Sequence, residues 1–342
     1  MKMNLRTGLG YRYLTPLEQN AYQIAMKAFS SMSASFDGSA IGRDVDLVKI
    51  VQTVLGDNPS IIYFDKMQLR VWANMFWKRV QLTGVLPKSR AARMNAELEA
   101  KAITIITYIK SGYNDEYSLL IKAYEYLQNN VRYDRQEMLA NLRGESKNLY
   151  SHNAYGALIN GLAVCDGFSS AFALLVQKLG FECMVVNGRS KHRSADSVEH
   201  AWNIVQIGNK CCHVDATWDA NQFSEFGEHS YDYFAFDDKE ISCDHDWDRK
   251  TAPICYSNDF SYFTKNRLYA YNQKELGNII KNSVRSRSKL VRIKLSRDII
   301  LPANEGDHLA QTFVDEAVKS GESVQIKYVW NEHSRCFSAK HS

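Results

Sequence analysis

Cys165, His200 and Asp215 are the residues whose types and spacing add up to a reaction. Cys165 lies in Asn160-Gly-Leu-Ala-Val-Cys-Asp-Gly-Phe-Ser-Ser170, His200 in Glu199-His-Ala-Trp-Asn203, and Asp215 in Val214-Asp-Ala-Thr-Trp218. A thiol nucleophile needs three groups: the sulfur, a base to take its proton, and a carboxylate to orient that base. In this order and in these local settings they point to cysteine-dependent acyl transfer. A free thiol, with a pKa of ~8.5, is mostly protonated at neutral pH, and a helix N-terminus or a nearby imidazolium lowers that value.

The elements that must hold these groups are legible around them. The pattern predicts a helix from Cys165 to Leu179, closed by Gly180, with Cys165, Phe168, Phe172, Leu175 and Leu179 on one face. Its dipole and unpaired N–H groups favour a thiolate in the first turn and could steady an oxyanion, while Asp166 is a countervailing charge beside it. Strands are predicted at Cys183–Val186, His200–Ile207 and Lys210–Thr217, the last two joined by the hairpin signal Gly208-Asn209. A two-residue turn pairs Ile207 with Lys210 and His200 with Thr217. Asp215 then becomes a diagonal neighbour of His200 on the same face. An odd loop would put the two on opposite faces, so the reading depends on an even one.

Other reactive types have plainer uses. Cys183 and Cys255 read as core residues, and Cys211-Cys212 as an inert pair alternating along a strand. His213 shares a face with Asp215 and is a competing partner for it. Cys243, Asp244, His245, Asp246 and Asp248 invite a calcium-loop reading, but the glycine and terminal glutamate of that loop are missing. The basic run Arg285–Arg297 alternates with Val291, Ile293 and Leu295, as a solvated strand face does.

The chain has 342 residues, 45% hydrophobic and 23% charged, with a net charge of +4. That is globular composition with material for one large domain or two, and too little charge to argue for nucleic acid or an anionic membrane. No apolar run approaches the ~18–20 residues of a membrane span, and the first ten residues lack a secretory core. Seven cysteines, an odd number without a CxxC pair, signal neither a zinc site nor a disulfide framework. A cytoplasmic, reducing setting without cofactor or metal is the expectation; non-classical export or a trimmed leader is the alternative.

Three regions are expected. Residues 1–115 read as mostly helical: helices at Leu14–Ala34, Asp44–Leu55 and Arg90–Ile109, with strands at Ser60–Phe64 and Leu69–Ala73. Residues 116–272 form the chemical core, opened by a helix at Glu116–Val131. Residues 273–342 form a small α+β appendage, with strands at Leu290–Leu295 and Val324–Trp330 and a helix at His308–Lys319.

These motifs resemble the transglutaminase-like superfamily, in particular bacterial transglutaminase-like cysteine peptidase domains. Ile121-Lys-Ala-Tyr-Glu-Tyr-Leu-Gln-Asn-Asn-Val-Arg-Tyr133-Asp is similar to the segment before the family's nucleophile. Asn153-Ala-Tyr-Gly-Ala-Leu158 and Ala163-Val-Cys-Asp-Gly-Phe168 resemble its signature, apart from Phe168 where an aromatic hydroxyl is commoner. His200-Ala-Trp-Asn203 and Asp215-Ala-Thr-Trp-Asp219 resemble the second and third elements. Asp57-Asn-Pro59, Tyr233-Phe234 and Asp244-His245 resemble more distant features. The resemblance implies an α+β, papain-like core, a nucleophile-bearing helix on an antiparallel sheet, with Cys165 as nucleophile, His200 as base and Asp215 as orienter. Tyr155 and Asn153 are candidates for a second oxyanion donor, and Trp202 and Trp218 for walls of a substrate channel.

The expected function is acyl transfer through a thioester on Cys165, with a protein or peptide as substrate. Water makes the protein a peptidase or a deamidase, and an amine makes it a transglutaminase; hydrolysis is favoured. The alternative is a catalytically silent scaffold that binds a protein partner.

Overall fold

Two capped helices begin the chain. In α1 (Pro16–Ser30) Thr15 and Glu18 form a reciprocal capping box, and proline occupies the first turn where its missing N–H costs nothing. In α2 (Leu47–Asp57) the Asp46 carboxylate accepts from the N–H groups of Val48 and Lys49. With them stands a small antiparallel sheet of β1 (Ser35–Asp37), β2 (Asp65–Ala73) and β3 (Lys78–Thr83), in the order β1-β3-β2. The computed structural model describes residues 3–42, 44–73, 78–145, 148–191, 197–222, 226–322 and 324–341.

The apolar run Ser60–Phe64 is not a strand. Ile61, Ile62, Tyr63 and Phe64 are all buried, with Ile62 in the central core and the other three in the N-terminal one. A continuous apolar run reports burial on every side, and here it serves a connector threaded between two cores. Asp57 fastens the start of the chain. Its carboxylate accepts from the N–H groups of Gly8, Gly10 and Tyr11 and from the Tyr22 hydroxyl.

The central unit is built on α3 (Lys88–Gly112) and α4 (Glu116–Asn130). Met94, Leu98, Ala102, Ile105 and Ile109 of α3 share one apolar cluster with Leu120, Tyr124 and Leu127 of α4. The expected boundary at residue 115 thus falls between two helices of one core. Next come β4 (Arg132–Tyr133), α5 (Arg135–Leu142), β5 (Leu162–Ala163) and α6 (Cys165–Leu179), which ends at Gly180 with φ +107°. There follow β6 (Glu182–Lys191), β7 (Ser197–Ile207), β8 (Lys210–Val214), α7 (Ala216–Gln222), β9 (Phe234–Phe236), α8 (Asp238–Ile241), β10 (His245–Asp246) and α9 (Tyr262–Lys265).

The five strands β6 to β10 make an antiparallel sheet in the order β10-β6-β7-β8-β9, and α6 lies across it. Phe168, Phe172 and Leu175 of α6 are fully buried, each contributing about 2 kcal/mol of apolar transfer. The fold is α+β: the helix that begins with Cys165 lies on an antiparallel sheet.

The last region has a four-stranded sheet, ordered β11-β12-β14-β13, from β11 (Tyr269–Ala270), β12 (Leu290–Leu295), β13 (Ile326–Asn331) and β14 (Cys336–His341). Helices α10 (Gln273–Arg285) and α11 (Glu305–Lys319) pack on it through Leu276, Ile280, Leu309 and Phe313. Because β11 pairs in parallel with β12, the sheet takes in residues just before the expected start at 273. Polar bonds tie this unit to the central one. Buried Lys294 meets Glu240 at 2.6 Å, and Asp232 accepts from Asn331 and Ser334.

Candidate active site

The N-terminus of α6 presents Cys165 as its first residue. Val164 offers no side-chain cap, and the backbone N–H of Cys165 has no acceptor among the described residues. Two close approaches position this end. At Gly167 a Cβ would sit 2.3 Å from the Ser151 carbonyl oxygen, so only glycine lets that segment lie against the first turn. Strand β4 pairs in parallel with β5, setting Tyr133 beside Ala163, and the Asp134 N–H donates to the Ala163 carbonyl.

His200 and Asp215 meet as the even loop requires, though by a different route at the end. Ile207 pairs with Lys210, and the ladder runs to Asn203 opposite Val214 and stops. Thr217 does not pair with His200, because it lies in α7. Asp215 leaves the strand to cap that helix, its Oδ1 accepting from the N–H groups of Thr217 and Trp218 at 2.8 and 3.2 Å. Its Oδ2 is then turned to His200 Nε2 at 2.6 Å. With Nε2 so committed, Nδ1 is the nitrogen left for the thiol.

The electrostatics follow from burial and pairing. Burial alone would lower the His200 imidazole, but the Asp215 charge and hydrogen bond, joined by a hydrogen bond with Cys165, raise it to about 9. Burial alone would raise the Asp215 carboxyl, yet the charge and bond of His200, with those of a second histidine, hold it well below the usual range.

That second histidine is His245, and the sequence did not single it out as a partner. Strand β10 pairs with β6 and sets His245 opposite Ser190. Its Nε2 lies 3.1 Å from Asp215 Oδ2 and its Nδ1 2.6 Å from Asp244 Oδ1, while the Tyr233 hydroxyl donates to Asp244 at 2.7 Å. Burial opposes its charge, but the two carboxylates raise it to about 9. Gly188 makes this edge possible: a Cβ there would meet the Asp246 carbonyl at 2.4 Å and the Trp202 ring at 2.6 Å.

Asp166, the countervailing charge beside Cys165, is held by buried His152, whose Nδ1 is 3.1 Å from Asp166 Oδ1. The other ring nitrogen of His152 is 3.1 Å from Glu137 Oε1.

Two clusters have metal-ligand types, His200–Asp215–His245 and His213–Asp238–Cys255. In the first, one nitrogen of each imidazole lies within hydrogen-bond distance of the same Asp215 oxygen, Oδ2. In the second, the Trp202 indole N–H donates to His213 Nδ1 at 2.9 Å, so the proton sits on Nε2, the nitrogen that faces Asp238. His213 therefore does not compete for Asp215.

Cys165, His200, Thr217 and Trp218 border a cavity of about 1310 Å³, roofed in part by Arg292, Trp330 and His333 of the C-terminal unit. Trp218 forms wall. Trp202 lies beneath, stacked on His200 with ring centres 5.9 Å apart and fully buried. Neither Tyr155 nor Asn153 borders the cavity. The Tyr155 hydroxyl donates to Glu97 at 2.6 Å; Asn153 accepts from the N–H groups of Tyr155 and Gly156 and donates to the Leu149 carbonyl. Tyr133, which sequence distance kept out of view, does border it.

Among the described residues no helix is long and apolar enough to cross a membrane. Residues 103–216 match the transglutaminase-like superfamily. No curated protein matches the chain. Among solved structures, a TGase is similar at 16% identity, over 48% of this chain and 50% of its own, with a TM-score of 0.32. A candidate cysteine protease from Cytophaga hutchinsonii is similar at 13% identity, over 44% and 61%, with a TM-score of 0.27. The chain thus spans about half the length of the first and three fifths of the second.

Proposed function

We propose that this chain, whose residues 103–216 match the transglutaminase-like superfamily, transfers acyl groups through a thioester on Cys165. The observation that carries the reading is the buried His200–Asp215 pair beside the half-exposed Cys165, on one wide cavity. Asp215 fixes the proton on Nε2 of His200, so Nδ1 takes the proton of Sγ. The thiolate attacks an amide carbon, and the carbonyl electron pair moves to oxygen. On collapse the C–N bond breaks, and the His200 proton goes to the departing nitrogen. Water, deprotonated by His200, then opens the thioester and restores the thiol.

Cys165 is half-exposed and borders the cavity, which leaves water a path to the thioester and favours hydrolysis over transfer to an amine. The cavity exceeds the ~300–1,000 Å³ of ordinary small-ligand pockets, which favours a segment of polypeptide as substrate. A peptide-bond substrate makes the activity a peptidase, a glutamine side chain a deamidase.

The test is acid-quenched peptide mass spectrometry after exposure to an activated acyl donor and to unfolded casein. An acyl adduct on Cys165, absent in Cys165→Ala, is expected. New N-termini in the casein would identify a peptidase, ammonia release a deamidase. Active protein without an adduct at Cys165 would end this reading.

A further inference from the structure

The C-terminal sheet is covered on one side only. Helices α10 and α11 pack on the face that carries Val291, Ile293, Phe337 and Ala339. The alternate residues of β12, β14 and β13 form the other face, and the register lines them up in rows. Arg292, Ser338 and Val329 make one row, and all three border the cavity with Cys165 and His200. One row further out, about 7 Å away, exposed Lys340 stands directly opposite exposed Lys327.

Like charges opposite each other on adjacent strands repel, and these three strands place no carboxylate on the open face to offset them. Buried Lys294, in the inner row, is already paired with Glu240. Among the described residues Arg292, Lys327 and Lys340 have no ion pair, although Glu228 also borders the cavity. Arg292 is held in place all the same: it donates to the His229 carbonyl at 2.7 Å, and its guanidinium stands 5.6 Å from the centre of the Tyr231 ring. Lys327 stands 5.8 Å from the ring centre of Phe226, another residue of the cavity wall. A basic surface thus runs outward from the catalytic cavity.

We propose that this open face docks an acidic stretch of polypeptide and, on the thioester reading given above, that this polypeptide is the substrate whose amide reaches Cys165. Every second side chain of an extended peptide falls on one side, about 7 Å apart, which matches the spacing of the rows. Single-stranded nucleic acid is the poorer fit. Its binding grooves carry aromatic rings on which bases stack, and β12, β13 and β14 present none on this face.

The probes are fluorescein-labelled decaglutamate, decalysine and an oligothymidylate of equal length. Fluorescence anisotropy follows them on the full chain and on its Cys165→Ala variant, so no turnover is needed. Decaglutamate is expected to bind both proteins and decalysine neither. Lys327→Gln with Lys340→Gln should weaken decaglutamate about 10-fold, and should melt no lower than wild type because it removes a repulsion. Lys101→Gln with Lys110→Gln, the same loss of charge at exposed positions of α3, should leave the affinity unchanged. No binding of decaglutamate, no weakening by the first double variant, or equal weakening by both overturns the proposal. Tighter binding of oligothymidylate overturns it in favour of nucleic acid. On casein the first double variant should raise KM by a similar factor, and an unchanged KM would overturn the link to the substrate. Casein that docks but is never cleaved or deamidated by wild type would remove the thioester reading and leave the docking face standing.

Discussion

His245 should carry a pH-dependent share of the stability that can be counted in protons. It is fully buried between Asp215, 3.1 Å away, and Asp244, 2.6 Å away, and its imidazole is raised from 6.5 to about 9. A histidine raised in the folded state stabilises fully below its unfolded value, and the contribution is lost as pH climbs through the folded one. The window is therefore 6.5 to about 9. Across it one extra proton on the native state corresponds to about 1.4 kcal/mol per pH unit, or about 3 kcal/mol in all. His245→Gln keeps an N–H for Asp215 but cannot titrate. Urea unfolding of both proteins at a series of pH values gives the two stability curves. The buried thiols of Cys183 and Cys212, raised by burial, also act at the upper end, but equally in both proteins. The gap between the curves should be largest below pH 6.5 and close toward pH 9. Parallel curves would refute the reasoning, because they would mean that His245 is neutral or that its bonds to the carboxylates are not formed.

Asp215→Asn is expected to lower turnover by about 10⁴-fold while leaving the melting temperature nearer to wild type than Asp215→Ala does. The amide retains an oxygen for the Thr217 and Trp218 N–H groups but presents N–H to His200 Nε2, forcing the proton onto Nδ1, where it faces the sulfur; a kcat near wild type would contradict this. Lys294→Met should cost about 3–5 kcal/mol in a thermal or urea melt, because it leaves Glu240 buried without its closest cation. Joint replacement of Lys294 and Glu240 by apolar residues should recover most of that loss, and a double variant as unstable as the single one would show that the ion pair is not the cause.

Local signals made the helix of Cys165 legible to the residue, since a left-handed glycine at 180 ends it and the apolar face begins with the cysteine. The parity of the hairpin was equally readable, because two residues of turn chemistry leave one register. What could not be read was the end of that ladder: Asp215 leaves it to cap α7, which a strand pattern running on to Thr217 conceals. His245 stands 30 residues beyond Asp215, on a strand of two residues whose place is set by pairing with β6. Its neighbour Asp244 offered the signal, in the Asp244-His245 pair, but among so many aspartates the run reads first as a cation loop. Tyr155 and Tyr133 make the opposite lesson. Tyr155 is near in sequence but turned to Glu97; Tyr133 is distant, and the parallel pairing of two-residue strands sets it beside Ala163, two residues before Cys165. Of the two N-terminal strands expected, Leu69–Ala73 lies within β2, while Ser60–Phe64 is no strand because Ile61 to Phe64 are apolar for a reason other than pairing.

The central claim is that His200 and Cys165 share a proton in the folded protein. Iodoacetamide labelling of Cys165 against pH, read by peptide mass spectrometry in wild type and in His200→Ala, tests it most directly. The account predicts that Cys165 is alkylated faster in wild type than in His200→Ala at neutral pH, because the imidazole takes the thiol proton. Equal rates at every pH in the two proteins would contradict it.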